Sequence, residues 1–461
     1  MSGEESDLSS RFGRGAVLHR NGLDDVFICG SDRQPGSLFH QLPSGKFESI
    51  NQQLFAADAF CEDADAVFFD ANGDGYADLL VVSGGNRYAE GSANLTDRLY
   101  LNDGKGNFWK GSALPLMPGN KSVIVAADLD KDGHTDLFIG GSAVFGRYGE
   151  APQSWLLLGD GKGSFTSADE SKAPGLSHIG MVTGAVATDV DKDGWPDLVL
   201  VGEWMPITLF KNHQGRLINE TNAAGLQHTK GWWTTIRAAD INGDGREDLL
   251  VGNWGTNSKL HASEKAPLRL YFGDFDHNGQ SDQLLAMANA DGNYYPFLGK
   301  DDLDRHMPSI IRKKYNTYSG FAGQTIEQAF GPHLTGATLL EAECLSSVLL
   351  TNNAHGRFDI TPLPKETQWS PVFTFLVGDL DHDGAADIIS AGNFYGVTPY
   401  EGRYDASYGT VLLSGQKVIP AARSGLLLDG EIRDSRIIRT AHGPLFLFSR
   451  NDNSVLFYRP H

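Results

Sequence analysis

The sequence lacks the features that define several protein classes. It has 461 residues but only three cysteines, Cys29, Cys61 and Cys344, and no Cys-x-x-Cys pair, which excludes a disulfide scaffold and a zinc ribbon. We expect three buried thiols, and a single Cys29–Cys61 bridge is the alternative. No run of about 18 apolar residues occurs, so a transmembrane helix is excluded.

Basic residues are scarce relative to acidic ones. Lys and Arg number 38 and Asp and Glu number 58, which gives a formal net charge of −20. Nucleic acid and anionic membranes repel such a protein, so we predict neither nucleic-acid binding nor direct membrane insertion. The acidic N-terminus, residues 1–7, is not a secretory signal. Either the protein stays inside the cell or it is a piece of a longer exported chain.

Glycine is abundant, with 55 residues, and part of it belongs to a nonapeptide that occurs six times. The nonapeptide reads Asp-x-Asp/Asn-x-Asp/Asn-Gly-x-x-Asp. Short, apolar and β-branched runs flank most copies, and this pattern predicts that each loop joins two strands. The copies, which we call the acidic loops, begin at Asp70, Asp128, Asp189, Asp240, Asp274 and Asp379.

A second hairpin signal follows several acidic loops. Asp103-Gly104 and Asp160-Gly161 stand between apolar runs, as hairpin turns do. Two hairpins give a four-stranded unit that suits one blade of a β-propeller. We therefore predict an all-β fold, a β-propeller over residues 12–461, and a flexible segment over residues 1–11.

The number of four-stranded blades stays open between seven and eight. The interval between the fourth and fifth acidic loops is too short for a blade, and the next interval is too long. Seven blades result if the loops at Asp240 and Asp274 share one blade. Eight result if an irregular blade spans Asp274 to Pro364.

The long interval contains a segment of different composition. Residues 300–334 are richer in basic and aromatic side chains, and we predict a small helical insertion over about residues 292–336 that caps one face of the propeller. As a hypothesis, Arg312, Lys313, Lys314 and Tyr315 contribute to a surface for an acidic glycan or protein. A solvated helical cap is the alternative.

The acidic loops predict calcium sites. Ca²⁺ prefers about 6–8 oxygen ligands in a flexible cage. Positions 1, 3, 5 and 9 supply carboxylate or amide oxygens, position 6 is glycine in every copy, and position 7 varies freely, as expected of a residue that offers only its backbone carbonyl. We predict up to six Ca²⁺ ions. The predicted ligands are Asp70, Asn72, Asp74 and Asp78; Asp128, Asp130, Asp132 and Asp136; Asp189, Asp191, Asp193 and Asp197; Asp240, Asn242, Asp244 and Asp248; Asp274, Asp276, Asn278 and Asp282; and Asp379, Asp381, Asp383 and Asp387.

Two other interpretations of these loops are weaker. An EF-hand needs a glutamate at position 12, where these loops have strand residues such as Val81, Ile139 and Leu200. Simple acidic turns would leave clustered carboxylates repelling one another. Because calcium is abundant outside cells, the sites favour an extracytoplasmic protein whose targeting segment is absent from these 461 residues.

The repeats resemble those of FG-GAP/VCBS proteins. Residues 138–143, Phe-Ile-Gly-Gly-Ser-Ala, are close to the FG-GAP signature, and residues 371–413 are similar to the C-terminal propeller of large bacterial VCBS proteins with ASPIC/UnbV segments. The resemblance covers roughly Phe12 to Tyr458. It implies a calcium-loop propeller, export from the cell, and a role in adhesion, ligand binding or surface assembly.

No catalytic motif such as a nucleophile elbow, a P-loop or a zinc-binding His pair is present. We therefore predict a non-enzymatic module that binds an extracellular protein or glycan, or serves as a scaffold within a longer chain or surface complex. The alternative is a polysaccharide lyase or hydrolase that brings Tyr, His, Arg or Glu together in the channel. Trp204, Trp232, Trp233 and Trp254 are expected to pack between blades, and a sugar-binding platform is their alternative role.

Overall fold

The computed structural model describes residues 3–10, 14–20, 22–31, 33–112, 114–353, 356–397 and 402–460. Strands dominate the first half of the chain, and their apolar runs are flanked by the turn residues noted above. These strands are β1 (Gly3–Ser10), β2 (Gly15–Arg20), β3 (Leu23–Ile28), β4 (Ser37–Gln41), β5 (Phe47–Ile50), β6 (Asp63–Phe69), β7 (Asp78–Ser83), β8 (Arg98–Asn102), β9 (Phe108–Lys110), β10 (Asn120–Ala127), β11 (Asp136–Ala143), β12 (Trp155–Gly159), β13 (Phe165–Ser167), β14 (Met181–Thr188), β15 (Asp197–Met205), β16 (Thr208–Asn212) and β17 (Leu217–Asn219).

The second half continues the pattern and adds short helices. Its strands are β18 (Gly231–Ala239), β19 (Asp248–Asn253), β20 (Leu268–Gly273), β21 (Asp282–Ala288), β22 (Tyr294–Pro296), β23 (Thr338–Ala342), β24 (Val348–Asn352), β25 (Phe358–Pro362), β26 (Val372–Gly378), β27 (Asp387–Gly392), β28 (Thr410–Leu413), β29 (Lys417–Ile419), β30 (Ile432–Thr440), β31 (Gly443–Arg450) and β32 (Asn453–Tyr458). The helices are α1 (Gln52–Ala56), α2 (Lys300–His306), α3 (Ile311–Lys314), α4 (Tyr318–Phe321), α5 (Ile326–Phe330) and α6 (Ala421–Ser424).

The described strands form a seven-bladed β-propeller, which confirms the predicted fold class. The first strands of adjacent blades contact one another in a closed ring around a central channel. Blades four and five are also joined by a short pairing between β15 and β18. In order, the four-stranded blades are β2–β5, β6–β9, β10–β13, β14–β17, β18 and β19 with β24 and β25, β26–β29, and β30–β32 with β1.

The seventh blade is completed by the N-terminal strand. β1 pairs antiparallel with β32, with Gly3 opposite Tyr458 and Ser10 opposite Asn453. This pairing differs from the flexible segment expected over residues 1–11. The apolar pattern of the segment is too weak to predict a strand, but an edge strand needs only backbone hydrogen bonds from its neighbour. Residues 1, 2 and 11 lie outside the described residues.

Blade five explains the irregular spacing of the acidic loops. Its second strand, β19, pairs directly with β24, and the residues between Asn253 and Val348 leave the blade and return to it. That segment has its own four-stranded sheet, in the order β22-β21-β20-β23, together with α2–α5. The loop at Asp240 lies in the blade and the loop at Asp274 lies in the inserted sheet. The predicted helical insertion, residues 292–336, lies within this longer segment.

Hydrophobic cores lie between successive blades. Each second strand packs on both faces, so β7 and β19 are buried along their whole length. Such a strand reads as a continuous apolar run in the sequence, because neither face meets water. Between blades two and three, for example, Leu80 packs with Leu137 and Ile139, all of them fully buried. Burial of this apolar surface is the main stabilising contribution to the ring.

No disulfide links the three cysteines, as predicted. Cys29 and Cys61 are buried, whereas Cys344, which was also predicted to be buried, is only partly buried. Burial raises the pKa of all three thiols. They therefore behave as small hydrophobic residues rather than as reactive nucleophiles.

An aromatic stack fastens the inserted segment to the ring. The rings of Trp232 and Trp254 stack at 4.6 Å, and Trp254 meets Tyr404 of blade six at 5.2 Å. Trp204 and Trp254 are only 5% and 7% exposed, so their faces are covered by protein. This arrangement fits the packing role expected of these tryptophans and leaves little aromatic surface for a sugar ring.

Candidate metal centres

The acidic loops of the propeller occupy one face of the ring. Each follows the innermost strand of its blade and leads into the second strand, as the loop from Asp128 to Asp136 does between β10 and β11. Five of the six loops belong to blades, and the sixth joins β20 to β21 in the inserted sheet. The turns between third and fourth strands lie on the same face.

Backbone N–H groups organise each loop around its first aspartate. In blade four, Asp189 accepts hydrogen bonds from the N–H groups of Asp193, at 3.1 Å, and Gly194, at 2.8 Å. Gly194 has a φ of +89°, which only glycine adopts without strain. Position 4 is left-handed as well, with a φ of +62° at Lys192. The sequence did not predict this second strained position, because lysine and histidine occupy it in several copies.

The fifth and seventh positions are linked in the same way in all six loops. In blade four, the Asp193 carboxylate accepts the N–H of Trp195 at 2.8 Å. The same bond joins Asp74 to Tyr76 at 2.9 Å. This bond fixes the backbone of position 7, whose carbonyl is the atom that its free variation in sequence predicts as a ligand.

Four loops bring three carboxylates together in a geometry suited to a cation. In each, one oxygen from positions 1, 3 and 9 lies within 4.8 Å of the other two. Three of these carboxylates have a buried oxygen without a hydrogen-bond partner, namely Oδ1 of Asp128, Asp130 and Asp276. A buried, unpaired carboxylate oxygen is costly unless a ligand meets it, so these donors fit a hard cation. The four clusters are Asp128, Asp130 and Asp136; Asp189, Asp191 and Asp197; Asp274, Asp276 and Asp282; and Asp379, Asp381 and Asp387.

The other two loops have asparagine at position 3. The Asn72 amide donates to Asp74 at 3.0 Å, and the Asn242 amide donates to Asp244 at 3.3 Å. The amide oxygens accept the backbone N–H of the same aspartates. These loops therefore satisfy more of their own polar atoms, which makes them weaker candidates than the four clusters.

The ninth aspartate has a structural role that the sequence did not predict. In blade four, Asp197 is fully buried and accepts the N–H of Val190 in its own loop at 3.0 Å. Its other oxygen accepts the N–H of Asn212, at the end of the third strand, at 2.7 Å. The same pair of bonds occurs at Asp78, Asp136, Asp248 and Asp387. One carboxylate thus fixes the loop, the second strand and the third strand of its blade.

Burial makes three of the ninth-position carboxylates reluctant to ionise. Burial, reinforced by the neighbouring aspartates, raises the pKa of Asp78 and of Asp136 to about 6 and that of Asp197 to about 7. Backbone hydrogen bonds oppose this shift without cancelling it. A cation at the cluster would favour the charged form and reverse the direction of the shift.

The acidic loops also connect neighbouring blades. The Asn212 side chain of blade four donates to the carbonyl of Leu129, in the loop of blade three, at 2.7 Å. The Asn352 side chain of blade five donates in the same way to Val190 of blade four, at 2.8 Å. Each of these loops therefore holds an end of the next blade, so disturbing one loop disturbs an interface as well.

Lysines stand at the edge of two clusters. The Lys211 ammonium forms an ion pair with Asp191, and Lys172 lies 4.0 Å from Asp130. The contact with Asp191 raises the pKa of Lys211. Both lysines lie outside the acidic loops and reduce the negative charge that an incoming cation meets.

Of the four residues predicted to form a ligand surface, the three basic ones are exposed and the tyrosine is buried. Tyr315 is 8% exposed and packs in the core of the inserted segment, where its hydroxyl donates to Gln328 O at 3.1 Å. Arg312 pairs with Asp304 at 3.2 Å but leaves 70% of its side chain exposed. Lys313 is exposed, and Lys314 reaches the carbonyl of Gln328.

Repeats in the chain match a known family model. Residues 18–81, 70–139 and 189–251 match the FG-GAP-like repeat, and these stretches hold four of the acidic loops, those that begin at Asp70, Asp128, Asp189 and Asp240. The fold and the acidic loops together define a β-propeller, and the chain carries FG-GAP-like repeats. The resemblance to ASPIC/UnbV proteins has no counterpart in these matches.

Two proteins of known name resemble parts of the chain. Human cartilage acidic protein 1 is 29% identical over 199 residues, which are 41% of this chain and 28% of the relative. Mouse phosphatidylinositol-glycan-specific phospholipase D is 29% identical over 152 residues, which are 28% of this chain and 18% of that protein. The chain thus matches less than a third of the length of either relative.

Solved structures align over the whole chain at low similarity. Sqt1 of Saccharomyces cerevisiae aligns over 100% of both chains with a TM-score of 0.48 and 10% identity. The V. cholerae biofilm matrix protein Bap1 aligns over 99% of this chain and 88% of its own, with a TM-score of 0.41 and 10% identity. No helix among the described residues is long and apolar enough to cross a bilayer.

Proposed function

We propose that this chain is an extracellular β-propeller stabilised by calcium, which acts as a non-enzymatic binding, adhesion or scaffolding module. The main observation in support is the set of four carboxylate clusters, each with three oxygens within 4.8 Å of one another. Ca²⁺ suits these clusters because its ligands are carboxylate and carbonyl oxygens in a flexible cage. Positions 1, 3, 5 and 9, with the carbonyl of position 7, would hold each ion.

The location outside the cytoplasm rests on the same sites. Constitutive structural sites of this kind need abundant calcium, which extracellular fluid provides. The similarity to cartilage acidic protein 1, whose name assigns it to cartilage, supports this proposal. A partner in that setting would be an extracellular protein or glycan.

Calcium would act on stability rather than on chemistry. A ligand that binds only the folded state stabilises it, by about 2.7 kcal/mol per site when its concentration is 100 times the dissociation constant. The loops join strands within blades and connect neighbouring blades, so their rigidity determines that of the ring. Metal binding would therefore raise the melting temperature and make the acidic loops more rigid.

The rival function, a polysaccharide-active enzyme in the channel, receives less support. Arginines do converge there, but Asp65 and Asp434 are held by arginines and by backbone N–H groups. A carboxylate restrained in this way is a poor general base. The ionisable residues that line the channel cavity among the described residues are Arg14, Asp65, Arg237, Arg433, Asp434 and Arg436.

Calorimetric titration of the metal-free protein with Ca²⁺ tests the proposal. Melting curves are recorded without calcium and at saturating calcium. We expect saturable binding and a higher melting temperature in calcium, lost again in excess chelator. The variant D128N, at a position that is aspartate in all six loops, should lose one site, whereas D359N, at an exposed aspartate on β25, should bind as the wild type does. Identical melting curves with calcium and with chelator would refute the proposal.

A further inference from the structure

A cavity of about 240 Å³ lies in the central channel. Its walls are the inner strands, including β10, β14, β18 and β30, and water reaches it from outside. Arg14 and Arg433 also line a second cavity, toward the face opposite the acidic loops. The space accommodates a small ligand together with several waters.

The charge of the cavity is opposite to that of the protein. The chain has a formal net charge of −20, yet the cavity is lined by four arginines and two aspartates. Arginine is the side chain best suited to bind an oxyanion, because its planar fork donates two parallel hydrogen bonds. The channel is thus a positively charged site within an acidic molecule.

Three of the four arginines already have partners. Arg14 donates to the carbonyl of Thr183 at 3.1 Å and lies 3.8 Å from Asp65. Arg436 pairs with Asp434 at 2.8 Å. These contacts fix the arginines as part of the wall.

Arg433 is fixed in the same manner. It pairs with Glu431 at 2.6 Å and donates to the carbonyl of Asn393 at 3.0 Å. Its guanidinium also lies over the ring of Phe373, at 4.2 Å from the centroid. This cation is therefore neutralised before any ligand arrives.

Arg237 differs from the other three. Among the described residues it has no hydrogen-bond or ion-pair partner, and its side chain is exposed to the water of the channel. Partial desolvation by the channel walls, together with the charge of Arg436, lowers its pKa, and the carboxylates of Asp434 and Glu247 act in the opposite direction. Two cations so close together repel each other, and an anion bound between them would relieve that repulsion.

We propose that the channel binds an oxyanion, a carboxylate or a sulfate group, and that Arg237 is its principal ligand. Arg436 contributes its charge from the same cavity, and the Thr235 side chain lines the wall two residues from Arg237. The enclosure favours a small anion or a terminal acidic group over a folded macromolecule. This site is separate from the acidic loops and does not depend on the proposed calcium function.

Isothermal titration calorimetry of the calcium-loaded protein tests this proposal. The probes are inorganic sulfate, acetate and glucuronate at constant ionic strength, which distinguish a sulfate from a carboxylate and a bare anion from an acidic sugar. We expect one saturable site for at least one probe. R237Q should weaken the affinity for that probe by about tenfold to a hundredfold. R237K keeps the charge but loses the planar fork of the guanidinium, so its affinity should lie between those of the wild type and R237Q.

The matched control is R423Q, which removes the same charge from an exposed arginine on α6 outside the cavity. It should bind as the wild type does. Equal weakening in R237Q and R423Q would mean that only net charge matters, and would overturn the proposal. Absence of saturable binding to all three probes by the wild-type protein, or full binding by R237Q, would overturn it as well.

Discussion

Asn212 joins two blades, one through its backbone and the other through its side chain. Its backbone N–H donates to Asp197 of its own blade, and its side chain donates to the carbonyl of Leu129 in the preceding blade, each at 2.7 Å. The residue is fully buried. The acidic loop and the blade interface are therefore parts of one hydrogen-bonded unit.

The variant N212A should destabilise the protein by roughly 1–3 kcal/mol, because it leaves buried backbone carbonyls without a donor. Urea denaturation of the calcium-loaded protein measures the free energy of unfolding. N222A, at an exposed asparagine in the next loop, is the matched control and should behave as the wild type does. An unchanged midpoint in N212A would mean that the inter-blade bond does not contribute to stability.

The stability of the metal-free protein should fall as pH rises from about 4 to about 7. The folded-state pKa is about 6 for Asp78 and Asp136 and about 7 for Asp197, whereas unfolded aspartate titrates near 3.9. The folded protein therefore binds more protons in that interval, and each such group changes the free energy of unfolding by up to about 1.4 kcal/mol per pH unit.

Urea denaturation of the metal-free protein at several pH values measures this slope. D197N should flatten it, because the amide does not titrate. Saturating calcium should flatten or reverse it, since the ion favours the charged carboxylates. A metal-free protein that gains stability between about pH 5 and pH 7 would contradict the prediction.

The substitution W254A should destabilise the protein by about 3–5 kcal/mol, as large-to-small changes in a core do. Trp254 stacks on Trp232 and is 7% exposed. W109A, at a tryptophan that is 45% exposed on β9, should cost much less. A W254A protein of normal stability that has lost binding to neutral glycans would instead favour the sugar platform.

The basic surface of the inserted segment gives a prediction about partners. If it binds an acidic glycan or protein, R312A/K313A/K314A should weaken capture of acidic glycans on an array without changing the melting temperature. The control K105A/K162A/R423A removes three exposed cations elsewhere on the molecule. Equal capture by the two triple variants would mean that the segment is a solvated helical cap and not a binding surface.

The sequence contained enough information to predict the hairpins and the acidic loops, because both depend on local patterns. Asp193 and Gly194, for example, take part in turns that nearby residues complete. The completion of blade seven by β1 and the shape of blade five could not be predicted, because they depend on pairings between distant residues. β1 carries no apolar pattern, and β19 gives no sign that its partner lies beyond the inserted segment.

For the candidate sites, too, local features could be predicted from the sequence and contacts between distant residues could not. The carboxylates at positions 1, 3 and 9 follow from the repeat, and four loops bring them together as expected. The bond from Asp197 to Asn212 joins loop and third strand, and the arginines of the channel come from different blades. Residues such as Arg14 and Arg237 meet only after the ring has formed, so no local signal could have identified their cavity.

The long excursion within blade five has a consequence for how the chain acquires its structure. Leu250 pairs with Leu349, so this blade cannot form its third strand until the polypeptide has been made far beyond its second. Closing so long a loop costs entropy before any contact compensates for it, which slows folding. Blades two to four are each built from contiguous sequence, whereas blade five cannot be completed until the chain beyond the inserted segment is available.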